Sequence, residues 1–344
     1  MNTLKKERIA LEIIKTLKSR FDNFPEDASD NRNAPFHEAF LEAFKVKIEE
    51  YVTNVPIFVS LASWMHGLNT TLGQSFFEKT AHILCDGEKR EFKNLLISPS
   101  QQSIINEIIT ALKNRVQKPS LENENRQLFE KNRKNSLRTQ NFTADVYFED
   151  DEKIVAIELK TVKPNSGIFK GEKEKILYGK AGLRNKYPDK EVFFYLGFPF
   201  DPLNEERCGF DKGRFFSYGI DFKKFFDRKE VLLANELWDF LSEENNTMQT
   251  ILEIINLISK PDFIEKYNFI NDYENFHINP ERYKNILKEW FLYRELELAG
   301  NFSLLNNRSQ RQKNIKRLLK QNLFDSKGKY KENRINTLLL EIKN

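Results

Sequence analysis

The sequence predicts an α/β fold: a mixed β-sheet flanked by helices, with a helical N-terminal region and a helical C-terminal extension. Three observations predict it. Residues 144–149 and 153–159 are short runs rich in Val, Ile, Tyr and Phe, separated by the acidic turn Asp150-Asp151-Glu152, and so read as a hairpin. A helical stretch from Glu172 to Lys186 then leads back to Glu191-Val-Phe-Phe-Tyr-Leu-Gly197, apolar as a central parallel strand should be, which makes a βαβ core. Outside this core, apolar residues recur at helical spacing.

Taken in order, Leu4, Ile9, Leu11, Ile14 and Leu17 predict a helix over 4–22, ended by the Asn/Asp-rich stretch 23–33. A second helix is expected at 36–51. Over 72–85, Ser75 is expected to cap a helix whose Phe77, Ala81 and Leu84 face the core while Glu78 projects, and 101–116 predicts another amphipathic helix. The polar stretch 118–141 leads straight into the hairpin. Lys163-Pro-Asn-Ser-Gly167 reads as a turn, and Gly73, Gly167 and Gly171 read as isolated turn residues. After Pro199 and Pro202, a loop with glycines at 209–214 precedes a further strand expected at Phe215–Phe222. Helices are expected at 230–243, 247–259, 280–298 and 311–323. The domain reading is therefore 1–66 helical, 67–229 core and 230–344 helical extension.

Composition narrows the class. At 344 residues, with 40% hydrophobic content and 30 phenylalanines, the chain can bury a substantial core. Its formal charge of only +4 means that a polyanion must be met by local patches. Cys85 and Cys208 lack the spacing of a zinc site or disulfide framework, so a reducing cytoplasm is expected. No signal peptide and no run of 18 apolar residues is seen, which leads us to expect a soluble protein without membrane association. A Gly-x4-Gly-Lys-Ser/Thr phosphate loop is absent, and no use of ATP is expected.

The chemistry lies in the hairpin. With Asp151 and Glu152 as a two-residue connection, Ala144 pairs with Leu159, Val146 with Ile157 and Phe148 with Val155, giving one apolar face. The other face sets Asp145 opposite Glu158, with Lys160 two residues along. A slip of one residue would bury the acids, so the apolar pattern fixes the register. Adjacent carboxylates are relieved most simply by a cation. Hard oxygen donors favour magnesium, with the Leu159 carbonyl as a third ligand. Lys160 would orient the attacking water, stabilise a phosphoryl oxygen or, with its pKa lowered by the neighbouring cation, act as a base. Acid-x-Lys triplets recur at Glu91-Phe92-Lys93, Asp221-Phe222-Lys223 and Glu341-Ile342-Lys343. The triplet at 158 is set apart by ending an apolar run with an acid-bearing partner strand just before it.

Basic residues offer candidate contacts to nucleic acid. Arg126, Arg133, Lys134 and Arg138 lead towards Asp145, and Lys163 flanks the site. Arg207 and Arg214 stand on the loop 201–217, from which an arginine can reach guanine. Between Arg308 and Arg334, ten Lys/Arg face two acids, as on a phosphate-contacting surface. The four histidines, His37, His66, His82 and His277, read as packing or surface residues.

An Asp followed, after a β-turn-β interval, by Glu-x-Lys resembles the PD-(D/E)xK nuclease superfamily, here with Ala144 in place of the Pro. The resemblance implies a restriction-endonuclease-like core. More narrowly, Leu68–Glu78, Thr143-Ala-Asp145 and Ile157-Glu-Leu-Lys-Thr-Val162 resemble the TdeIII-like type II restriction endonucleases. That resemblance implies Mg²⁺-dependent cleavage of both strands of DNA at a short palindrome of the GGNCC kind, and a cognate methyltransferase. Asp145 and Glu158 then become metal ligands, Lys160 the water-orienting amine and Glu78 an auxiliary acid. A homodimer matches a palindrome's two-fold symmetry. Two other readings stay open: a structure-selective repair or recombination nuclease, and a non-catalytic DNA-binding protein that keeps the nuclease fold.

Overall fold

The structure is a computed structural model that describes residues 1–25, 55–129, 136–160, 166–219, 221–309 and 313–343. The helix expected at 36–51 lies outside the described residues. The chain forms two compact units, one of Phe77–Thr250 with Met1 and one of Asn2–Phe76 with Ile251–Asn344.

The first unit is built on a five-stranded mixed sheet in the order β1-β4-β5-β6-β7. Its strands are β1 (Glu88–Phe92), β4 (Phe142–Glu149), β5 (Lys153–Leu159), β6 (Glu191–Phe198) and β7 (Val231–Leu233), while β2 (Leu96–Ile97) and β3 (Leu137–Arg138) pair separately. β1, β4 and β5 run antiparallel, and β5, β6 and β7 run parallel. From the turn to Val146 the hairpin has the expected register, Val146 pairing with Ile157 and Phe148 with Val155, but the expected pairings of Ala144 with Leu159 and of Asp145 with Glu158 are not part of the ladder. Asp150 closes the turn, its N–H donating to the Lys153 carbonyl and its carboxylate accepting from the N–H groups of Glu152 and Lys153. Residues 154–159 are all buried, as befits a strand between two others with both faces covered. The acid-bearing face is therefore open at the strand's end and not along its length.

The crossover helix runs Ser166–Lys186, so Gly167 and Gly171 are helical and not turn residues. It begins before Glu172 because the apolar Ile168 and Phe169 extend its pattern, with Phe169 buried against Phe222 at a ring separation of 4.5 Å. Gly179 lets it press onto β6: a Cβ there would lie 2.8 Å from the Phe194 ring. The expected strand at 215–222 is instead the helices Lys212–Tyr218 and Phe222–Phe225. Asp211 caps the first of these through the Arg214 N–H, and Phe215, Phe216 and Phe222 close on one another in the core. The strand in that region is Val231–Leu233, at the start of a stretch whose pattern reads as helix, and the helix itself is Asn235–Ser242.

In the second unit, Thr3–Phe21 is helical as expected, with Asn2 accepting the Lys5 N–H as its cap. Val55–Thr71 adds an unexpected helix, which continues through a π turn at Leu72–Phe76 into Phe77–Cys85. Within the π turn Phe76 is buried, Ser75 is internal and not a cap, and Gly73 is helical, while Phe77 is half-buried against Trp238. The helix expected over 280–298 is broken at Phe291 (φ 58°) into Pro280–Glu289 and Tyr293–Gly300. The basic C-terminal stretch is not uniformly a surface: Arg334 is buried and paired with Glu295 at 2.6 Å. Lys313, Lys316, Arg317 and Lys320 are exposed.

Candidate active site

The hairpin ladder ends at Val146 and Ile157, and beyond it the two strands part. Asp145 occupies the fork. One of its carboxylate oxygens accepts the Leu159 N–H at 3.0 Å, where the strands no longer pair, while the Lys160 N–H donates to the Gly197 carbonyl at 2.9 Å and keeps β5 on β6. His82, from the helix Phe77–Cys85, donates its Nε2–H to the Asp145 carbonyl at 2.7 Å and holds the backbone of β4 from the other side. It acts as a packing histidine, but one that touches the site.

Glu158 is 7% exposed and gripped by two amines, Lys160 at 2.8 Å and Lys175 at 2.5 Å. Burial and the neighbouring Asp145 charge push its carboxyl above the usual range, and the two lysines only partly offset them. Lys160 also binds Glu172 at 2.8 Å. Burial lowers its pKa, but Glu158 and Glu172 outweigh that effect and hold the ammonium above the ordinary lysine value. The flanking carboxylates thus act on this amine in the opposite sense to burial.

Glu78 projects from its helix into the same neighbourhood. Lys89 on β1 binds both of its oxygens, at 2.9 and 3.0 Å, and reaches Asp145 at 3.2 Å. The structure therefore brings together Asp145, Glu158, Lys160 and Glu78, and adds three residues that the sequence reading passed over: Lys89, Glu172 and Lys175. Their signal was faint. Glu172 and Lys175 look like a solvated pair on one helix face, and Lys89 lies in a charged segment without apolar alternation.

Among the described residues, four carboxylates against three amines leave the cluster one net negative charge. One Glu172 oxygen is buried without a hydrogen-bond partner. Surplus negative charge, an orphaned oxygen and all-oxygen donors fit a hard divalent cation. Among the described residues no three His, Cys, Asp or Glu side chains already converge on one point, because the amines stand between them.

The candidate DNA-contact residues are scattered. Arg126, Arg138, Arg207 and Arg214 are exposed, Arg126 bonded to Asn123 and Arg214 to Asn204. Arg214 stands on a helix and not on the expected loop. Arg133, Lys134 and Lys163 lie outside the described residues. No helix among the described residues is long and apolar enough to cross a membrane.

A mixed five-stranded sheet flanked by helices fits a restriction-endonuclease-like core. The chain belongs to the HinfI family of type II restriction endonucleases, whose model matches residues 1–259. It is similar to the type II restriction enzyme MjaII of Methanocaldococcus jannaschii, with 48% identity over 351 residues that cover 95% of this chain and 94% of the relative. The family shown is HinfI, and the resemblance of the motifs to the TdeIII-like enzymes is not confirmed by it. No solved structure matches the chain. Of the three readings open from sequence, the comparisons support the site-specific deoxyribonuclease.

Proposed function

We propose that this chain is a Mg²⁺-dependent restriction endonuclease of the PD-(D/E)xK type, which hydrolyses both strands of DNA at a short palindrome by in-line attack of water. The observation that carries the reading is the fork at the end of the hairpin, where Asp145, Glu158 and a protonated Lys160 meet in a cluster with surplus negative charge. Asp145, Glu158 and the Leu159 carbonyl would hold the metal, with Glu78 as an auxiliary acid. Bound there, the metal supplies Lewis-acid stabilisation of the charge that develops on the phosphoryl oxygens. Lys160, oriented by Glu172, would hold the attacking water or a phosphate oxygen, leaving a 5′-phosphate.

Arg126, Arg133, Lys134, Arg138 and Lys163 are the proposed backbone contacts, and Arg207 and Arg214 the proposed readers of guanine. A palindrome implies a homodimer and, for the host's own DNA, a cognate methyltransferase in the same cytoplasm. A GGNCC-like sequence is the first target to try.

Digestion of unmethylated phage DNA with Mg²⁺, beside Ca²⁺ and Lys160→Ala controls, tests the reading. Discrete fragments that Lys160→Ala abolishes are expected. Tight DNA binding without cleavage under any divalent metal would overturn it.

A further inference from the structure

We propose that Lys89 is a resident counter-ion of this site: its ammonium bridges Glu78 and Asp145 where a divalent cation would bind, and metal must displace it to enter. The inference rests on the metal-dependent reading above. Three features of the chain support it.

First, Lys89 is aimed by the backbone. β1 pairs Glu88 with Tyr147 but Arg90 with Ala144, so Lys89 stands opposite two residues of β4, Asp145 and Val146, and β4 carries the extra residue of a bulge. The bulge bends β4 at Asp145, directly across from Lys89, and the amine reaches both Asp145 and Glu78 there. Gly87 permits the close approach, since a Cβ there would lie 2.6 Å from the Tyr147 carbonyl.

Second, the contacts are those of a bridging cation. Both oxygens of Glu78, at 2.9 and 3.0 Å, and one of Asp145, at 3.2 Å, meet one nitrogen. The other Asp145 oxygen is committed to the Leu159 N–H. A metal approaching Asp145 and Glu78 therefore meets the oxygens that Lys89 already holds.

Third, the amine can leave while the acids cannot. Lys89 is 48% exposed, against 15% for Glu78 and 16% for Asp145. A flexible four-carbon stem rooted in solvent gives up its place without burying a charge, whereas the two acids depend on some cation being present. The bridge thus raises the metal concentration needed to fill the site and relieves acid–acid repulsion until it is filled.

The test is calorimetric titration of Ca²⁺ into the wild type and into Lys89→Met, Lys89→Arg and Asp145→Asn, with circular dichroism to confirm folding. Removing a competing, partly exposed ammonium should tighten Ca²⁺ binding about tenfold in Lys89→Met. Lys89→Arg, which restores a cation, should return to within about twofold of wild type, and Asp145→Asn should lose the site. Equal or weaker Ca²⁺ binding by Lys89→Met, with dependence on Asp145 intact, would overturn the role of Lys89 and leave the metal reading standing. Absence of any Asp145-dependent binding in wild type and Lys89→Met would overturn both.

Discussion

Replacing Lys173 by Met removes a wholly buried ammonium from between two buried carboxylates. Its nitrogen lies 2.5 Å from Glu124 and 2.6 and 2.8 Å from the two oxygens of Glu230. None of the three residues is more than 2% exposed. Burial alone would lower the Lys173 pKa, yet the charges of Glu230 and Glu124 reverse this and hold it above the ordinary value. Met fits the space of the stem but leaves the two acids opposed only by Lys180, 3.4 Å from Glu230. Breaking a buried ion pair from one side costs about 3–5 kcal/mol, and the remaining Lys180 sets the expectation at the lower end, about 3 kcal/mol. Urea unfolding should show this as a lower midpoint at unchanged slope. Lys173→Met combined with Glu230→Gln should cost about 2 kcal/mol less than the sum of the single changes, because the surplus charge is gone. A loss below about 1 kcal/mol, or simple additivity, would refute the account of the cluster as a coupled ionic unit. The consequence for activity follows from position. The same helix, Ser166–Lys186, carries Glu172 and Lys175 into the site one residue before and two after Lys173. Cleavage should therefore fall along with stability.

Three further outcomes follow from the geometry. Gly197→Ala puts a Cβ 2.9 Å from Ile157 and 3.0 Å from Leu159, and should cost about 1–3 kcal/mol in denaturant midpoint. Those two residues flank Glu158, so cleavage rates should fall more than DNA affinity in the same variant. Asp145→Asn and Glu158→Gln should each lower cleavage about a hundredfold or more while DNA binding, read by fluorescence anisotropy, changes only a few-fold; equal losses would assign the acids a structural role. Hydrogen bonds from Lys190 and Arg90 hold the Glu149 carboxyl below its usual range, despite an opposing effect of burial. A depressed folded pKa gives stability that is present above the unfolded value and lost as pH falls through the folded one. The melting-temperature gap between wild type and Glu149→Gln should therefore close between about pH 5 and pH 3, and a constant gap would contradict this.

What the sequence discloses and what it hides divide along one physical line. The hairpin is legible because its apolar residues alternate, and alternation fixes register: Val146 with Ile157 and Phe148 with Val155 leave Asp145, Glu158 and Lys160 at one strand end. β1 is hidden because Glu88-Lys-Arg-Glu-Phe92 is an edge strand whose charges blunt an exposed ladder, so it lacks the pattern by which strands are read. Val231–Leu233 is hidden for the opposite reason, since three apolar residues fit either period. Aromatic residues at 215–222 suggested a strand, but stacking among Phe169, Phe216 and Phe222 is satisfied by helices. The site divides in the same way. Its hairpin members are near in sequence, whereas Glu78, Lys89, Glu172 and Lys175 arrive on three other elements, and no local pattern marks them. Their arrival changes the chemistry that the motif alone suggests. An isolated Glu-x-Lys reads as an acid for metal and an amine free to lose a proton. Here every acid of the cluster is engaged by an amine, and Lys160 lies between two carboxylates that raise its pKa. A metal entering such a site would meet ammonium groups already in place, and on the proposal made above its affinity would be set by those amines as much as by the acids.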